Sequence, residues 1–225
     1  MKPVAPQRAL RVLISAGPTI EPIDPVRYLS NRSEGVMGYE IARSSVRRGH
    51  VTTVVSGPVR IAPPVGVKVY PVETADQMKQ ELFRLLRTHD CLIMAAAVCD
   101  FRAKKISRTK LKKTGRRTAY TLELIATEDI LGFLKGHYGD SKIFVGFSLE
   151  SHDVRRASLQ KLRRKKLDLI VANPIKRGGP FGKVKNDFYI IDGARRETSY
   201  RAISKSRAAQ LLLDKVEGLW YGKPR

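Results

Sequence analysis

Residues 10–38 read LRVLISAGPTIEPIDPVRYLSNRSEGVMG, and this stretch decides the fold. Leu10-Arg11-Val12-Leu13-Ile14-Ser15 is a short apolar run of strand length. Ala16-Gly17-Pro18-Thr19 closes it with small residues, and a proline-rich loop follows through Pro22-Ile23-Asp24-Pro25-Val26-Arg27. From Val36 the period changes: Met37, Ile41 and Ser45 share a helical face with Ala42 and Val46 beside them, and Gly49 stops the helix after Arg48. Strand, loop and helix in that order are the opening unit of an α/β domain. Small residues at a strand's end let backbone N–H groups approach a phosphate, and a helix N-terminus adds a positive dipole there. Gly17, Pro18, Thr19, Ser33, Gly35 and Gly38 occupy those positions. An ordinary tight turn uses the same residues, so spacing alone does not choose between the two. The dinucleotide fingerprint G-x-G-x-x-G is absent, which argues against a nicotinamide-dependent dehydrogenase.

Outward from this unit the same rhythm continues. Val51 to Val55 and Val67 to Tyr70 read as strands; Met78, Leu82, Leu85 and Leu86 mark a helix beginning near Thr74 or Ala75; Cys91 to Ala96 is a buried strand. After Asp100 periodicity is lost for about 18 residues, a length that usually signals a functional or disordered loop. Alternation resumes over Ala119 to Leu124, with a short helix from Glu128, a strand at Ile143–Phe147, a basic helix over Asp153–Lys166 and a strand at Leu167–Ala172. Residues 174–186 read as a second mobile loop, Asp187–Ile191 as a strand, and Ser204 opens a last helix with Ala208, Leu211, Leu212 and Val216 on one face. The expected architecture is one Rossmann-like domain over residues 1–225. It has a mostly parallel sheet, flanking helices, two long active-site loops and flexible ends at 1–9 and 219–225.

Composition narrows the function. The chain has 225 residues, 42% of them hydrophobic, which suffices for a sizeable core. No run of about 18 apolar residues and no signal-like N-terminus is present, so a cytoplasmic protein without membrane contact is expected. Cys91 and Cys99 are too few for a disulfide framework, and His50, His89, His137 and His152 lack ligand spacing. The net charge of +22 is concentrated beyond residue 100. Arg102–Arg117 holds nine basic residues and Arg155–Lys166 seven, with no acid in either. Anionic partners are implied, but charge alone does not say which.

The whole of Ala16–Gly38 resembles the run A-G-P-T-x-E-P-I-D-P-V-R-[FY]-[IL]-S-N-x-S-x-G-x-M-G of the phosphopantothenate-cysteine ligases. The resemblance continues at Ser56-Gly57-Pro58, at Ala95-Ala96-Ala97-Val98-Cys99-Asp100 where that family usually has A-A-A-V-A-D, and at Lys110-Leu111-Lys112-Lys113, matching K-x-K-K. Val145-Gly146-Phe147, Lys161 with Lys165, Asp168–Asn173, Phe181-Gly182 with Asn186, and Ser204-Lys205 follow in the expected order.

What the resemblance implies is a Mg²⁺-dependent ligation of 4′-phosphopantothenate with L-cysteine. The acid's carboxylate attacks the α-phosphate of a nucleoside triphosphate, CTP in the bacterial form, and cysteine's amine then displaces the monophosphate. Attack of one anion on another needs positioning and cations above all. By resemblance, Lys110 supplies that cation and Asn31 orients the acyl-nucleotide. Met94, Ala95, Ala96 and Asp100 border the nucleotide with Glu128, Asp129, Ile130 and Leu131. Phe147 packs near the base, and Lys161 and Lys165, one helical turn apart, reach the triphosphate. Lys112 and Lys113 join the substrate-loop candidates, and Asp100 is the candidate Mg²⁺ ligand. A homodimer is implied as well. Because the ligase-like part begins near residue 10, decarboxylation of the product is expected of another chain.

Each lysine has a plainer reading as part of a solvated charge run, and Phe147 as core. Two departures bear on specificity: Ser33-Glu34-Gly35-Val36-Met37-Gly38 replaces S-S-G-K-M-G, and Thr127-Glu128-Asp129-Ile130-Leu131 replaces N-P-D-I-[LV]. They motivate a second reading, the same reaction class with ATP or another acid. A third, a nucleic-acid-binding protein using the basic half, lacks any aromatic-interleaved basic stretch.

Overall fold

Strand β1 (Arg11–Ala16) lies at the centre of the molecule because five of its six side chains are buried, as suits a strand covered on both faces. It pairs in parallel with β4 (Val51–Ser56) on one side and β6 (Cys91–Met94) on the other. In the computed structural model, which describes residues 8–113, 119–175 and 184–222, the remaining main strands are β5 (Lys68–Pro71), β9 (Ile143–Glu150), β10 (Leu169–Pro174), β11 (Asn186–Asp192) and β12 (Glu197–Ile203). They form one eight-stranded sheet of order β12-β11-β10-β9-β6-β1-β4-β5. Six strands are parallel; β11 and β12 close one edge antiparallel. The mostly parallel α/β architecture expected from the sequence is the one found.

Helices cover both faces. Helix α1 (Val36–Arg47) and α5 (Lys205–Tyr221) bury Tyr39, Ile41, Ala209, Leu212 and Leu213 against one face; α2 (Ala75–Leu86), α3 (Ile130–Tyr138) and α4 (Val154–Arg164) bury Met78, Leu82, Leu134 and Leu162 against the other. Each large aliphatic buried this way contributes ~1.5–3 kcal/mol. The caps explain the starts: Thr74 and Gln77 form a capping box on α2, and Ser204 accepts from Arg207 N on α5. The chain leaves β1 through α1 on one face and enters β6 through α2 on the other. Between β1 and β6 the connections therefore diverge, opening a crevice at the strands' C-terminal ends.

Several elements differ from the sequence reading. Two small ribbons, β2 (Ile20–Pro22) with β3 (Tyr28–Ser30) and β7 (Phe101–Ala103) with β8 (Leu124–Ala126), stand in stretches read as loop or, for 119–124, as a longer strand. β12 went unrecognised, being a polar edge strand with no buried residue. Helix α5 runs to Tyr221, with Leu219 and Trp220 packed on the core, so the expected flexible tail does not begin at 219. Residues 114–118, most of the second expected loop with Phe181 and Gly182, and the expected flexible residues 1–7 lie outside the described residues. Two of the four histidines given no role, His50 and His89, are structural. Buried His89 meets Leu85 O and Thr53 Oγ1, and His50 meets Glu217 where Arg48 also ties α1 to Asp214 and Glu217 of α5.

Candidate active site

The crevice between β1 and β6 opens into a cavity of about 570 Å³. Four separated motifs build its wall: Asn31 with Ser33–Met37 leading into α1, Met94–Val98 with Asp100 at and after the end of β6, Thr127–Leu131 leading into α3, and Phe147–Leu149 on β9. Lys161, Arg164 and Lys165 close it from α4, and Asn173, Asn186, Phe188 and Lys205 from the sheet's far strands and α5. Of the residues singled out in the sequence, Asn31, Ser33, Gly35, Met94, Ala95, Ala96, Asp100, Glu128, Asp129, Ile130, Leu131, Phe147, Lys161 and Lys165 are therefore brought together.

Local bonds fix this wall. Asn31 Nδ2 donates to Ala97 O at 3.0 Å, which sets the plane of its amide. Ala97 N in turn donates to Gly17 O, and Thr19 N to Ala97 O, so the turn after β1 and the segment after β6 are laced together. Thr127 Oγ1 donates to Cys99 O at 2.5 Å and Thr127 N to Asp100 O, pinning the segment that carries Glu128 and Asp129. Gly35, at φ 78°, caps α1 from the left-handed region; the first turn of α1 has no side-chain cap, and Val36 and Met37 face the cavity.

The charges are paired unevenly. Lys161 Nζ donates to Phe147 O at 2.6 Å; burial, with Lys165 adding to it, pushes its pKa below the usual lysine range. Lys165 Nζ lies 2.6 Å from Asp129 Oδ1, and Lys79 Nζ 2.7 Å from Glu128 Oε2. Burial raises the pKa of Asp129, but Lys165 and the Gly132 N–H outweigh it and hold the carboxyl low. Lys205 is pushed down by burial, with the charge of Glu34 opposing. Among the described residues no group of three or more His, Cys, Asp or Glu could hold a metal ion. Of the acids on the wall, Glu128 and Asp129 are engaged by lysines, so a divalent ion here would take most of its ligands from phosphate and water.

Other sequence candidates sit elsewhere. Gly17, Pro18, Thr19 and Gly38 do not line the cavity. They pack its floor: a Cβ on Gly38 would stand 2.6 Å from Ala16 Cβ, and one on Gly57 1.7 Å from Pro18 O, so these glycines allow loops and helix to touch. Thr19 is fully buried and its Oγ1 accepts from Cys99 N. Lys110, Lys112 and Lys113 are also absent from the wall; they lie on a segment bonded to the loop between β2 and β3. Sequence reading gave no role to Glu34, Thr127, Ser148, Arg164, Asn173, Asn186, Phe188 and Lys205, which do line it. The order-matched Asn186 and Ser204-Lys205 were the available signal for part of that set.

Comparison with known proteins shows the family. Residues 8–219 match the family described as DNA/pantothenate metabolism flavoprotein C-terminal domain. The chain belongs to this family. It is 40% identical over 197 residues to the coenzyme A biosynthesis bifunctional protein CoaBC of Bacillus subtilis, covering 86% of this chain and 48% of that protein. The CoaBC protein of Vibrio vulnificus is 34% identical over 208 residues, covering 92% and 52%. The chain thus spans about half the length of these relatives. The crystal structure of a CoaBC C-terminal domain superposes with a TM-score of 0.81 at 31% identity, covering 96% of this chain and 98% of that one. A Cab2 mutant in complex with phosphopantothenate-cysteine, only 16% identical, shares the fold with a TM-score of 0.79 over 95% and 88% of the two chains.

Proposed function

We propose that this flavoprotein C-terminal-domain homologue joins 4′-phosphopantothenate to L-cysteine, with CTP as the driving nucleotide. The observation that carries the reading is the convergence of four motifs on one cavity at the β1–β6 crevice, each a motif that the ligase resemblance assigns to nucleotide or acid. Descent from the CoaBC group supports it, since those proteins are named for coenzyme A biosynthesis.

In this reading the triphosphate lies toward Lys161 and Lys165, and the phosphorylated acid along Asn31–Met37 with its anion at the uncapped start of α1. An oxygen of the acid's carboxylate attacks the α-phosphorus, the bond to pyrophosphate breaks, and an acyl-CMP forms. The nitrogen of cysteine's neutral amine then attacks the acyl carbon and gives up a proton; the C–O bond breaks and CMP leaves. Asn31, its amide held by Ala97 O, orients the acyl-nucleotide; Lys161 and Lys165 draw charge from the triphosphate, Lys165 exchanging Asp129 for phosphate. Mg²⁺ arriving with the nucleotide beside Asp100 would neutralise phosphate charge. A second copy of the chain is the proposed cover for Val26, Tyr28, Phe101, Ile106 and Leu124, which are exposed along the two ribbons and their loops.

A second reading, ATP in place of CTP, is favoured by Glu128, which stands where the related motif has proline and is bound to Lys79. Pyrophosphate release with phosphopantothenate and cysteine, run in parallel with CTP, ATP, GTP and UTP, decides. CTP is expected to give the highest kcat/KM; a preference for ATP selects the second reading, and no turnover with any nucleotide ends both.

A further inference from the structure

The motif Ile23-Asp24-Pro25-Val26-Arg27 does not line the cavity, yet it holds a carboxylate that accepts five hydrogen bonds. The Asp24 side chain is fully buried. Its Oδ1 accepts from Val26 N and Arg27 N, both at 2.8 Å, which closes the turn between β2 and β3. Its Oδ2 accepts from Arg27 Nε at 3.0 Å, from Arg27 Nη2 at 2.5 Å, and from Leu111 N at 3.1 Å. Arg27 Nη2 also donates to Leu111 O at 2.5 Å. One residue of the basic segment is thus gripped at both its N–H and its C=O by a carboxylate–guanidinium pair. A third link, Ser107 N to Ile23 O at 2.9 Å, holds the same segment upstream.

That residue lies between Lys110 and Lys112, and the carboxylate's bonds go to backbone N–H groups and the Arg27 guanidinium, not to lysine. The clasp is also mechanically continuous with the cavity. β2 and β3 are three residues each, so their ribbon spans ~10 Å. At its other end Ser30 Oγ donates to Thr19 O and Asn31 donates to Ala97 O on the cavity wall. The ribbon therefore carries Asn31 at one end and grips the lysine segment at the other.

We propose that Asp24, with Arg27 as its counter-charge, is a positioning residue that clamps the backbone of Leu111 and so fixes where the Lys110–Lys113 segment stands relative to the cavity. Its functional half rests on the ligase reading; its structural half does not. A buried carboxylate is suited to this, because charged acceptors hold N–H donors about twice as strongly as neutral ones, and the planar guanidinium can reach acceptors on two sides.

Asp24→Asn tests it. The remaining carbonyl oxygen still closes the turn at Val26 and Arg27, while the amide presents a donor where Leu111 N and the guanidinium need an acceptor. Arg27→Lys leaves the carboxylate but removes the fork to Leu111 O, and serves if Asp24→Asn fails to fold. Brief trypsin digestion followed by mass spectrometry reads cleavage after Arg108, Lys110 and Lys112, with thermal unfolding as the control. The expected result is cleavage at least tenfold faster in either variant at a temperature well below its own unfolding midpoint. Cleavage at the parent rate in a folded variant overturns the clasp. On the functional side, kcat for pyrophosphate release is expected to fall at least tenfold in Asp24→Asn with the KM for the acid changed less than threefold. Lys110→Gln is then expected to cost far less in that background than in the parent. Full additivity of the two losses would show that Asp24 acts only on stability and overturns the positioning role. Absence of turnover in the parent would end the ligase reading, and the cleavage rates would still decide the clasp.

Discussion

Two cationic segments look alike in sequence and are used in opposite ways. In α4 and at its C-terminal end the side chains do the selecting: Lys161 and Lys165, four residues apart, turn inward to Phe147 O and Asp129, while the exposed Arg155 meets Glu197 across the surface. In residues 104–113 the side chains are mostly exposed and the backbone is what the fold holds, through Ser107 N, Leu111 N and Leu111 O. A helix presents a fixed face, so register decides which lysine meets the cavity. A loop has no face, and its lysines are placed only as well as its backbone is tethered.

The comparison can be broken at several points. Lys110→Gln should cost the most, about 10²–10³-fold in kcat if the loop supplies the cation on the α-phosphate; pyrophosphate release within a few-fold of the parent would take Lys110 out of the chemistry. In α4, Lys161→Gln and Lys165→Gln should raise the KM for nucleotide about tenfold each, roughly 1.4 kcal/mol, whereas Arg156→Gln on the same helix should leave it within twofold. Equal effects at all three would mean that α4 contributes only a diffuse field. The smallest effect concerns pH. Hydrogen bonds from Leu111, Val26 and Arg27 overcome burial and hold the Asp24 carboxyl well below the usual carboxylate range. Its folded pKa lies under the unfolded one, so its contribution to stability is complete above about pH 4 and is lost as pH falls below that. Urea unfolding should therefore show the gap between parent and Asp24→Asn narrowing from about pH 5 toward pH 2; a gap that widens contradicts the assignment.

How far the sequence could carry these conclusions depended on length and periodicity. β1, α1, β4, α2 and β6 are long enough to show their period, and their connections open the crevice. β2, β3, β7 and β8 are three residues each, too short for alternation to register, and β12 is a half-buried edge strand with mostly polar residues. At the site, Asn31 and the α4 lysines were legible because motif and helical spacing converge on them. Partners were not: Asp129 is 36 residues from Lys165, and Leu111 is 87 from Asp24. For the glycines of the opening motif, phosphate approach and tight turn stay open in the sequence, since absence of a side chain suits both; Gly35 lines the cavity, whereas Gly17 and Gly38 serve close packing.

The central claim is that a carboxylate oxygen of the acid attacks the α-phosphorus of the nucleotide bound in this cavity. It is tested most directly by supplying 4′-phosphopantothenate labelled with ¹⁸O in its carboxylate, together with CTP, Mg²⁺ and cysteine, and weighing the nucleotide product. The account predicts CMP carrying one ¹⁸O and unlabelled pyrophosphate. CMP without label, label in the pyrophosphate, or no nucleotide cleavage at all would contradict it.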